Sequence, residues 1–319
     1  MQGPKEENGK KISIVGSGPA GLTAAFYLRQ SGFAVTVYEK QKEPGGCLSY
    51  AIPAYRLPKD IVRKFVSVLE NMGVTFCCSC NVGTDITLDE IYKISDSVML
   101  DTGTWKRPLI GLAGEELTRF GLEFLIDVNN YILDRPGSDV VVVGGGNVAM
   151  DAARTALRLG AEVHIVYRRS EKELPARVEE VHHAKEEGIH FDLLTNPVEI
   201  LEDENGWVKG IVCRRMELGE PDESGRRRPV EVVGSDFTID TDTVIMALGT
   251  SPNPLISNTT KGLEINRWRC IVADESNGKT TKEGVYAGGD AVTGAATVIL
   301  AMEAGRAGAR GIDEYLSAK

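Results

Sequence analysis

Residues 11–40, KISIVGSGPAGLTAAFYLRQSGFAVTVYEK, decide the fold of the chain. They read as an apolar strand, a glycine turn, an amphipathic helix and a second strand, which together make a βαβ unit. Gly16, Gly18 and Gly21 form a GxGxxG at the turn, where backbone amides can approach a pyrophosphate at the helix N-terminus. Glu39, at the tip of the second strand, is placed to accept hydrogen bonds from an adenosine ribose, and its charge disfavours a 2′-phosphate. The stretch therefore predicts a dinucleotide site, against the alternative of a tight turn without a ligand.

The same pattern recurs at residues 139–170, DVVVVGGGNVAMDAARTALRLGAEVHIVYRRS. Here the loop is a GxGxxA, formed by Gly144, Gly146 and Ala149. The second strand ends in Arg168 and Arg169 instead of an acid. Two guanidiniums at this position can bind a 2′-phosphate that a carboxylate would repel, so the loop predicts NADP in preference to NAD. The alternative is a basic strand end that contacts only water.

Further helices and strands surround these two units. Periodicity and turn residues predict helices over 58–72, 86–94 and 293–316, strands over 74–80, 97–101 and 284–290, and short alternating strands over 230–249. A segment with two prolines, residues 251–266, is predicted to cross back to the first unit. We therefore predict an α/β fold with two Rossmann-like dinucleotide-binding domains. An NADP domain, residues 109–250, is inserted into an FAD domain, residues 11–108 and 251–319, which follows a flexible tail, residues 1–10.

Two further turns are candidates for contacts with the first cofactor. Asp290, at the end of Gly288-Gly289-Asp290, can accept hydrogen bonds from a polyol chain. The helix predicted to begin near Thr293 would direct its N-terminal amides at a reduced flavin. Thr102 and Gly103, after the strand over 97–101, would bring backbone close to the cofactor. The alternatives are an Asp that caps a helix and an ordinary turn at a strand end.

Composition argues against several classes of function. The 36 Lys and Arg against 46 Asp and Glu leave a net charge of −10, the wrong sign for covering a nucleic-acid backbone. No apolar run approaches the roughly 20 residues of a membrane span, and residues 1–10 lack the apolar part of a signal peptide. The six cysteines follow no disulfide framework. We expect a cytoplasmic protein that binds neither nucleic acid nor membrane.

Cysteine and histidine spacing argues against metal and dithiol chemistry. Cys47 has no cysteine at the short spacing that a redox-active disulfide requires. In a strand, Cys77 would point away from Cys78 and Cys80, which splits a potential ligand set. The four histidines lack carboxylate or cysteine neighbours at metal-ligand spacing, and no Ser/His/Asp order is defensible. We predict no metal and no catalytic side chain, because the cofactors would carry the chemistry.

Beyond the two loops, the chain resembles the small subunit of NADPH-dependent glutamate synthase and its relatives over nearly all its length. The matching segments are GGCLSYAIPAYRLPKDIV (45–62), VYRRSEKELPAR (166–177), CRRMELGEPDESGRRRPV (213–230) and AGGDAVTGAATVILAMEAGR (287–306). The resemblance implies that NADPH in the inserted domain passes hydride to FAD in the other domain, and that electrons leave for a partner. The same architecture serves ferredoxin:NADP oxidoreductase and sulfide dehydrogenase complexes, so the electron acceptor stays open.

The loops and the resemblance together predict the cofactor contacts. For FAD these are Gly16, Gly18, Pro19, Ala20, Gly21, Glu39, Lys40, Gly46, Arg56, Thr102, Gly103, Gly289, Asp290, Thr297 and Val298. For NADP they are Gly144, Gly146, Asn147, Val148, Ala149, Arg168 and Arg169. Cys47, Ala51 and Asp101 stand where the family often has an aliphatic residue, glycine and alanine.

The resemblance also concerns the partner. Relatives carry an N-terminal iron–sulfur domain, whereas this chain starts just before the flavin loop, so we expect a truncation or a reduced family member. The expected partner is an electron acceptor of the iron–sulfur or glutamate synthase large-subunit type. A disulfide reductase, a flavin monooxygenase and a non-catalytic assembly subunit are the alternative functions.

Overall fold

The computed structural model describes residues 3–4, 6–132, 135–221 and 225–319. Contacts divide the chain into two compact units: unit 1 comprises Met1–Lys106 and Thr250–Lys319, and unit 2 comprises Arg107–Gly249. Of the predicted N-terminal tail, residues 1, 2 and 5 lie outside the described residues. Glu7 pairs with Arg29, and the Asn8 amide donates to the carbonyl of Gly32. The described end of the tail is therefore bonded to unit 1.

The N-terminal part of unit 1 alternates strands and helices, as the βαβ pattern predicts. In chain order the elements are β1 (Lys11–Val15), α1 (Pro19–Gln30), β2 (Ala34–Tyr38), α2 (Cys47–Tyr50), α3 (Lys59–Asn71), β3 (Thr75–Cys77), α4 (Leu88–Lys93) and β4 (Ser97–Leu100). The strand predicted over 74–80 ends at Cys77, because Ser79 adopts a left-handed conformation with φ of 53° that leaves the extended region.

Unit 2 contains the second βαβ pattern and an additional small sheet. Its elements are β5 (Arg119–Phe120), α5 (Gly121–Asn129), β6 (Asp139–Val143), α6 (Asn147–Arg158), β7 (Glu162–Tyr167), α7 (Val178–Glu186), β8 (His190–Leu193), β9 (Thr195–Glu202), β10 (Val208–Pro221), β11 (Arg227–Asp240) and β12 (Thr243–Met246). The short strands predicted over 230–249 are wrong in part, since β11 is a 14-residue strand that pairs along β10.

The C-terminal part of unit 1 contributes α8 (Leu255–Thr259), β13 (Val285–Ala287), α9 (Asp290–Thr293) and α10 (Val298–Ser317). The single helix predicted over 293–316 is wrong at its start. Gly294 has a φ of 80° and ends α9, and the main helix begins only at Val298, where the Thr297 hydroxyl accepts from the Leu300 amide as an N-cap. The segment from 290 to 298 is therefore two helix starts separated by a turn.

Each unit is built on a parallel five-stranded sheet. The order is β13-β4-β1-β2-β3 in unit 1 and β5-β12-β6-β7-β8 in unit 2, where β11-β10-β9 form a separate antiparallel sheet. Apolar side chains cover both faces of each parallel sheet, as crossover connections require. In β1, for example, Ile14 packs with α1 and α10, whereas the next residue, Val15, packs in a separate core with Leu100.

The predicted α/β class with two Rossmann-like units is confirmed. Within the described residues, no helix is both long and apolar enough to cross a bilayer.

Candidate cofactor sites

The three glycines of the first loop have different surroundings. A Cβ on Gly16 would collide with the carbonyl of Asp101, and a Cβ on Gly21 would collide with the carbonyl of Gly16. A Cβ on Gly18 would meet nothing within 4 Å. The first and third glycines therefore permit close packing of the chain, whereas the second faces open space. This is the division of roles that a pyrophosphate at a βα turn requires.

The helix that follows is suited to an anion. α1 begins with Pro19, Ala20 and Gly21, and its first turn contains no acidic residue. Proline at the first position has no backbone N–H, and the helix loses no hydrogen bond there because its first N–H has no acceptor within the helix. The remaining free amides and the positive end of the helix dipole point out of the turn, so the loop fits the pyrophosphate of a dinucleotide.

Glu39 directly follows β2 and is only 6% exposed. One carboxylate oxygen accepts from the amide of Ser17 (3.1 Å) and from its hydroxyl, and the other accepts from the amide of Gln41 (2.8 Å). The Ser17 hydroxyl in turn accepts from the amide of Gly45 (3.0 Å). Each carboxylate oxygen has two acceptor positions, so Glu39 keeps capacity for a ribose hydroxyl while it ties the glycine loop to the segment over 45–62.

Segments that are distant in the sequence meet at this loop. A Cβ on Gly46 would lie 2.9 Å from the Cα of Gly18, and a Cβ on Gly289 would lie 3.0 Å from the side chain of Ala20. Burial, and then the carboxylates of Asp290 and Glu39, raise the pKa of the Cys47 thiol to about 12. Four of the predicted FAD segments therefore converge, and Cys47 stays a neutral thiol there.

Asp290 is the first residue of α9, and its carboxylate accepts from the amide of Ala296 (3.2 Å). Burial raises the pKa of this carboxyl, and the Ala296 amide lowers it in part. The other predicted FAD contacts occupy varied surroundings. Lys40 is exposed; Arg56, Thr102 and Gly103 are half-buried; Thr297 caps α10, and Val298 is its first residue.

Sequence reasoning missed two residues that shape this region. Ser17 links Glu39 to Gly45, as described above. The Lys59 ammonium donates to the carbonyl of Leu48 (2.9 Å) and to that of Ile52, and so fixes the turn around α2. A lysine at the start of a helix carries no pattern that indicates such a contact.

Asp101, at the end of β4, is the least satisfied side chain of the region. It is 5% exposed, and neither carboxyl oxygen has a hydrogen-bond partner among the described residues. Burial raises its pKa to about 8, and the nearby Gly288 amide, which also donates to the carbonyl of Leu100 (3.1 Å), lowers it in part. Asp101 is therefore a neutral acid at neutral pH, and its carboxyl lies beside Gly288.

The second loop repeats the same arrangement. A Cβ on Gly144 would collide with the carbonyl of Ala247, whereas a Cβ on Gly146 would meet nothing within 4 Å. Ala149 is fully buried against the core of unit 2, and Val148 packs at the edge of that core. Asn147 begins α6, and its side-chain oxygen accepts from the amide of Arg177 (3.0 Å). This loop also fits a dinucleotide pyrophosphate.

The two arginines after β7 differ in exposure. Arg168 is exposed. Arg169 is 6% exposed, and its Nε donates to the carbonyl of Arg227 on β11 (2.8 Å). The role of Arg168 and Arg169 in binding a 2′-phosphate stays a prediction. In the structure, Arg169 also bonds to β11.

The cysteine cluster differs from its predicted geometry. Because β3 ends at Cys77, strand alternation does not separate Cys77 from Cys80. The amide of Glu39 donates to the carbonyl of Cys77, and the amide of Cys80 donates to the carbonyl of Glu39, both at 2.9 Å. Burial, and then the neighbouring Cys77 thiol, raise the pKa of Cys80. The interpretation that this segment points its thiols to opposite faces was therefore wrong.

All four histidines of the chain lie in unit 2. His164 bonds to Asp192 at 2.8 Å, and its ring stacks on that of His190 with centroids 4.9 Å apart. No group of three or more His, Cys, Asp or Glu within the described ranges could hold a metal ion.

Comparison with known proteins identifies the family. The family model described as pyridine nucleotide-disulphide oxidoreductase matches residues 10–305. The chain belongs to the pyridine nucleotide-disulphide oxidoreductase family. This membership confirms the oxidoreductase class and the predicted cofactors, FAD and NADPH.

Relatives define the membership more closely. The chain is 40% identical to the putative glutamate synthase [NADPH] small chain of Cereibacter sphaeroides, over 98% of this chain and 79% of that one, and belongs with the glutamate synthase small chains. It is 43% identical to the NADP(+)-dependent formate dehydrogenase subunit beta of Moorella thermoacetica, over 97% of this chain but 44% of that one. The chain thus spans about half the length of several curated relatives that it matches.

A solved structure supports the fold. FprA from Mycobacterium tuberculosis in complex with NADPH superimposes with a TM-score of 0.82, at 21% identity, over 97% of this chain and 85% of that one.

Proposed function

We propose that unit 1 binds FAD, that unit 2 binds NADPH, and that hydride passes from NADPH to the flavin before electrons leave for a partner protein. The observation that carries this proposal is the contrast between two otherwise equivalent loops. The buried acid Glu39 follows the second strand of one, and the exposed cation Arg168 follows that of the other. An acid suits an unphosphorylated ribose, and an arginine suits a 2′-phosphate.

The residues around the loops support a role in binding and orientation. Nicotinamide and flavin supply hydride chemistry themselves when bound, so the protein needs no general base. Asp101 is neutral at neutral pH and therefore adds no negative charge beside Gly288, next to the predicted FAD contacts Gly289 and Asp290. Cys47, with a pKa of about 12, is no thiolate nucleophile at neutral pH.

The electron acceptor is proposed from the relatives. The names of these proteins describe subunits of larger assemblies: a subunit beta of formate dehydrogenase and a small chain of glutamate synthase. We propose a partner with an iron–sulfur centre or of the glutamate synthase large-subunit type. The six free cysteines suit the reducing cytoplasm.

The decisive experiment is the visible spectrum of the purified chain, followed by anaerobic titration with NADPH and then NADH. We expect a flavin spectrum after FAD is added, and bleaching by NADPH at much lower concentration than by NADH. Arg168→Ala should reduce this preference, because the exposed guanidinium is lost. A chain that stays colourless in excess FAD would instead support the non-catalytic assembly subunit.

A further inference from the structure

The β10–β11 hairpin reaches the end of β7, where the predicted 2′-phosphate contacts lie. We define the distal hairpin as residues 216–221 and 227–230. A backbone ladder attaches it: the Leu194 amide donates to the carbonyl of Arg169 (3.1 Å), and the Met216 amide donates to the carbonyl of Leu194 (2.7 Å). The Arg169 side chain adds a third link through its bond to the Arg227 carbonyl (2.8 Å). The hairpin is therefore held to this strand end at two of its residues, Met216 through Leu194 and Arg227 through the Arg169 side chain.

The distal hairpin carries arginine side chains with different surroundings. The guanidinium of Arg227 donates to the carbonyls of Gly219 (3.2 Å) and Leu218 (2.5 Å) on the facing strand, so it is committed to the hairpin itself. Arg228 is exposed, and its side chain has no hydrogen bond or ion pair with any described residue. Glu217 and Glu220 lie on the facing strand, but neither is paired with Arg228.

The link from Arg169 places Arg228 near the strand end. The carbonyl that accepts from Arg169 belongs to the peptide that joins Arg227 to Arg228. From standard backbone dimensions, the Cα of Arg228 lies within about 6 Å of the Arg169 Nε. Arg168 immediately precedes Arg169 in the chain, and the Cα atoms of the two residues are about 3.8 Å apart. Two exposed arginines, Arg168 and Arg228, thus flank one buried arginine.

We propose that Arg228 completes the 2′-phosphate site of NADPH together with Arg168, while Arg169 acts as a positioning residue that holds the hairpin in place. This inference rests on the proposed binding of NADPH by unit 2. A phosphate monoester carries close to two negative charges and three acceptor oxygens, more than one exposed guanidinium can satisfy. A second unpaired guanidinium from the hairpin supplies the missing donors and charge. The hairpin is in this view a determinant of cofactor specificity.

The test measures binding of the 2′-phosphate without any turnover. Isothermal titration calorimetry compares 2′,5′-ADP, which carries the phosphate, with 5′-AMP, which lacks it, on the FAD-loaded chain. Arg228→Ala should weaken 2′,5′-ADP binding about 10-fold, the loss of charge-assisted hydrogen bonds at an exposed site, and should change 5′-AMP binding less than about twofold. Arg228→Lys should retain part of the affinity, because it keeps the charge and loses the planar fork.

A matched control uses the same hairpin. Lys209 is an exposed cation at the start of β10, ten residues before Gly219, and thus about 30 Å along the strand from Gly219, which lies against the backbone of Arg228. Lys209→Ala removes the same charge and should leave both affinities unchanged, since 30 Å exceeds the screening length of about 10 Å at 0.1 M salt. With saturating flavin, the ratio of kcat/KM for NADPH to that for NADH should fall about 10-fold in Arg228→Ala. The same ratio should be unchanged in Lys209→Ala.

Two results overturn the inference in distinguishable ways. If Arg168→Ala weakens 2′,5′-ADP binding and Arg228→Ala does not, the strand end alone forms the site, and the proposed function stands. If the unmodified chain binds 2′,5′-ADP no more tightly than 5′-AMP, the assignment of NADPH to unit 2 is itself wrong.

Discussion

The buried carboxyl of Asp101 makes the stability of unit 1 depend on pH in a direction opposite to that of most aspartates. Burial without a hydrogen-bond partner raises its pKa from 3.8 to about 8 in the folded chain. Between these values the unfolded chain has released the proton and the folded chain still holds it. The stabilisation associated with the neutral carboxyl is therefore complete below about pH 4 and is lost as the pH rises through about 8.

The size of the effect follows from the same shift. Over this window the free energy of unfolding falls by about 1.4 kcal/mol per pH unit. From pH 6 to pH 8, where the folded carboxyl is half ionised, the loss is about 2 kcal/mol. For a unit of the size of unit 1, this corresponds to a melting temperature lower by about 4–8 °C. Asp101→Asn abolishes the titration, so its stability should lack this component.

The assay is thermal unfolding of the wild type and Asp101→Asn at pH 6, 7 and 8, in the same salt and without added cofactor. The melting temperature of the wild type should fall relative to the variant by the amount above. Asp60→Asn is the control, because it removes a carboxylate from a side chain that is 81% exposed. Parallel curves for the wild type and Asp101→Asn would show that Asp101 is ionised when folded, and would refute the neutral buried carboxyl.

Three other predictions use the same purified chain. Gly18→Ala should fold with an unchanged melting temperature but bind FAD about 10-fold or more weakly by fluorescence titration, whereas Gly21→Ala should lose about 3 kcal/mol of stability through overpacking; equal effects would contradict the open space at Gly18. Replacing both Cys77 and Cys80 with Ser should leave the stopped-flow rate of flavin reduction by NADPH within about twofold, and a large loss would show that these side chains contribute to flavin binding or reduction. Arg154→Ala should destabilise unit 2 in urea by about 3–5 kcal/mol, because its two glutamate partners lose their buried cation; a loss below 1 kcal/mol would exclude that role.

The sequence predicted those parts of the fold that local pattern determines. The βαβ units at residues 11–40 and 139–170 have the expected strands, turns and helices, because glycine spacing and apolar periodicity act within about 30 residues. The antiparallel sheet β9–β11 was not predicted. Its strands are half-exposed, and a bulge between Arg214 and Met216 interrupts the pairing of β10 with β11, so the apolar alternation along β10 is broken.

The candidate sites were predictable in outline and not in their contacts. The glycine pattern located the loops. It could not indicate that Gly16 is closely packed whereas Gly18 faces open space, because Gly16 packs against the carbonyl of Asp101, which is distant in the sequence. Likewise, the assumption of a continuous strand placed Cys77 and Cys80 on opposite faces. Nothing in the sequence indicates the left-handed conformation of Ser79, so the end of the strand could not be predicted. Partners brought together by tertiary structure are invisible to spacing rules.

The two strand ends that are proposed to distinguish the cofactors share one further property, which bears on how specificity would be built. In unit 1, the backbone of Cys77 and Cys80 holds Glu39 from both sides. In unit 2, the carbonyl of Arg227 holds Arg169. In each case a segment outside the βαβ unit contacts the strand end that is proposed to bind the adenosine ribose. Exchanging the strand-end residues between the two units should therefore fail to exchange the cofactors. Each supporting segment would still be arranged for the original residue.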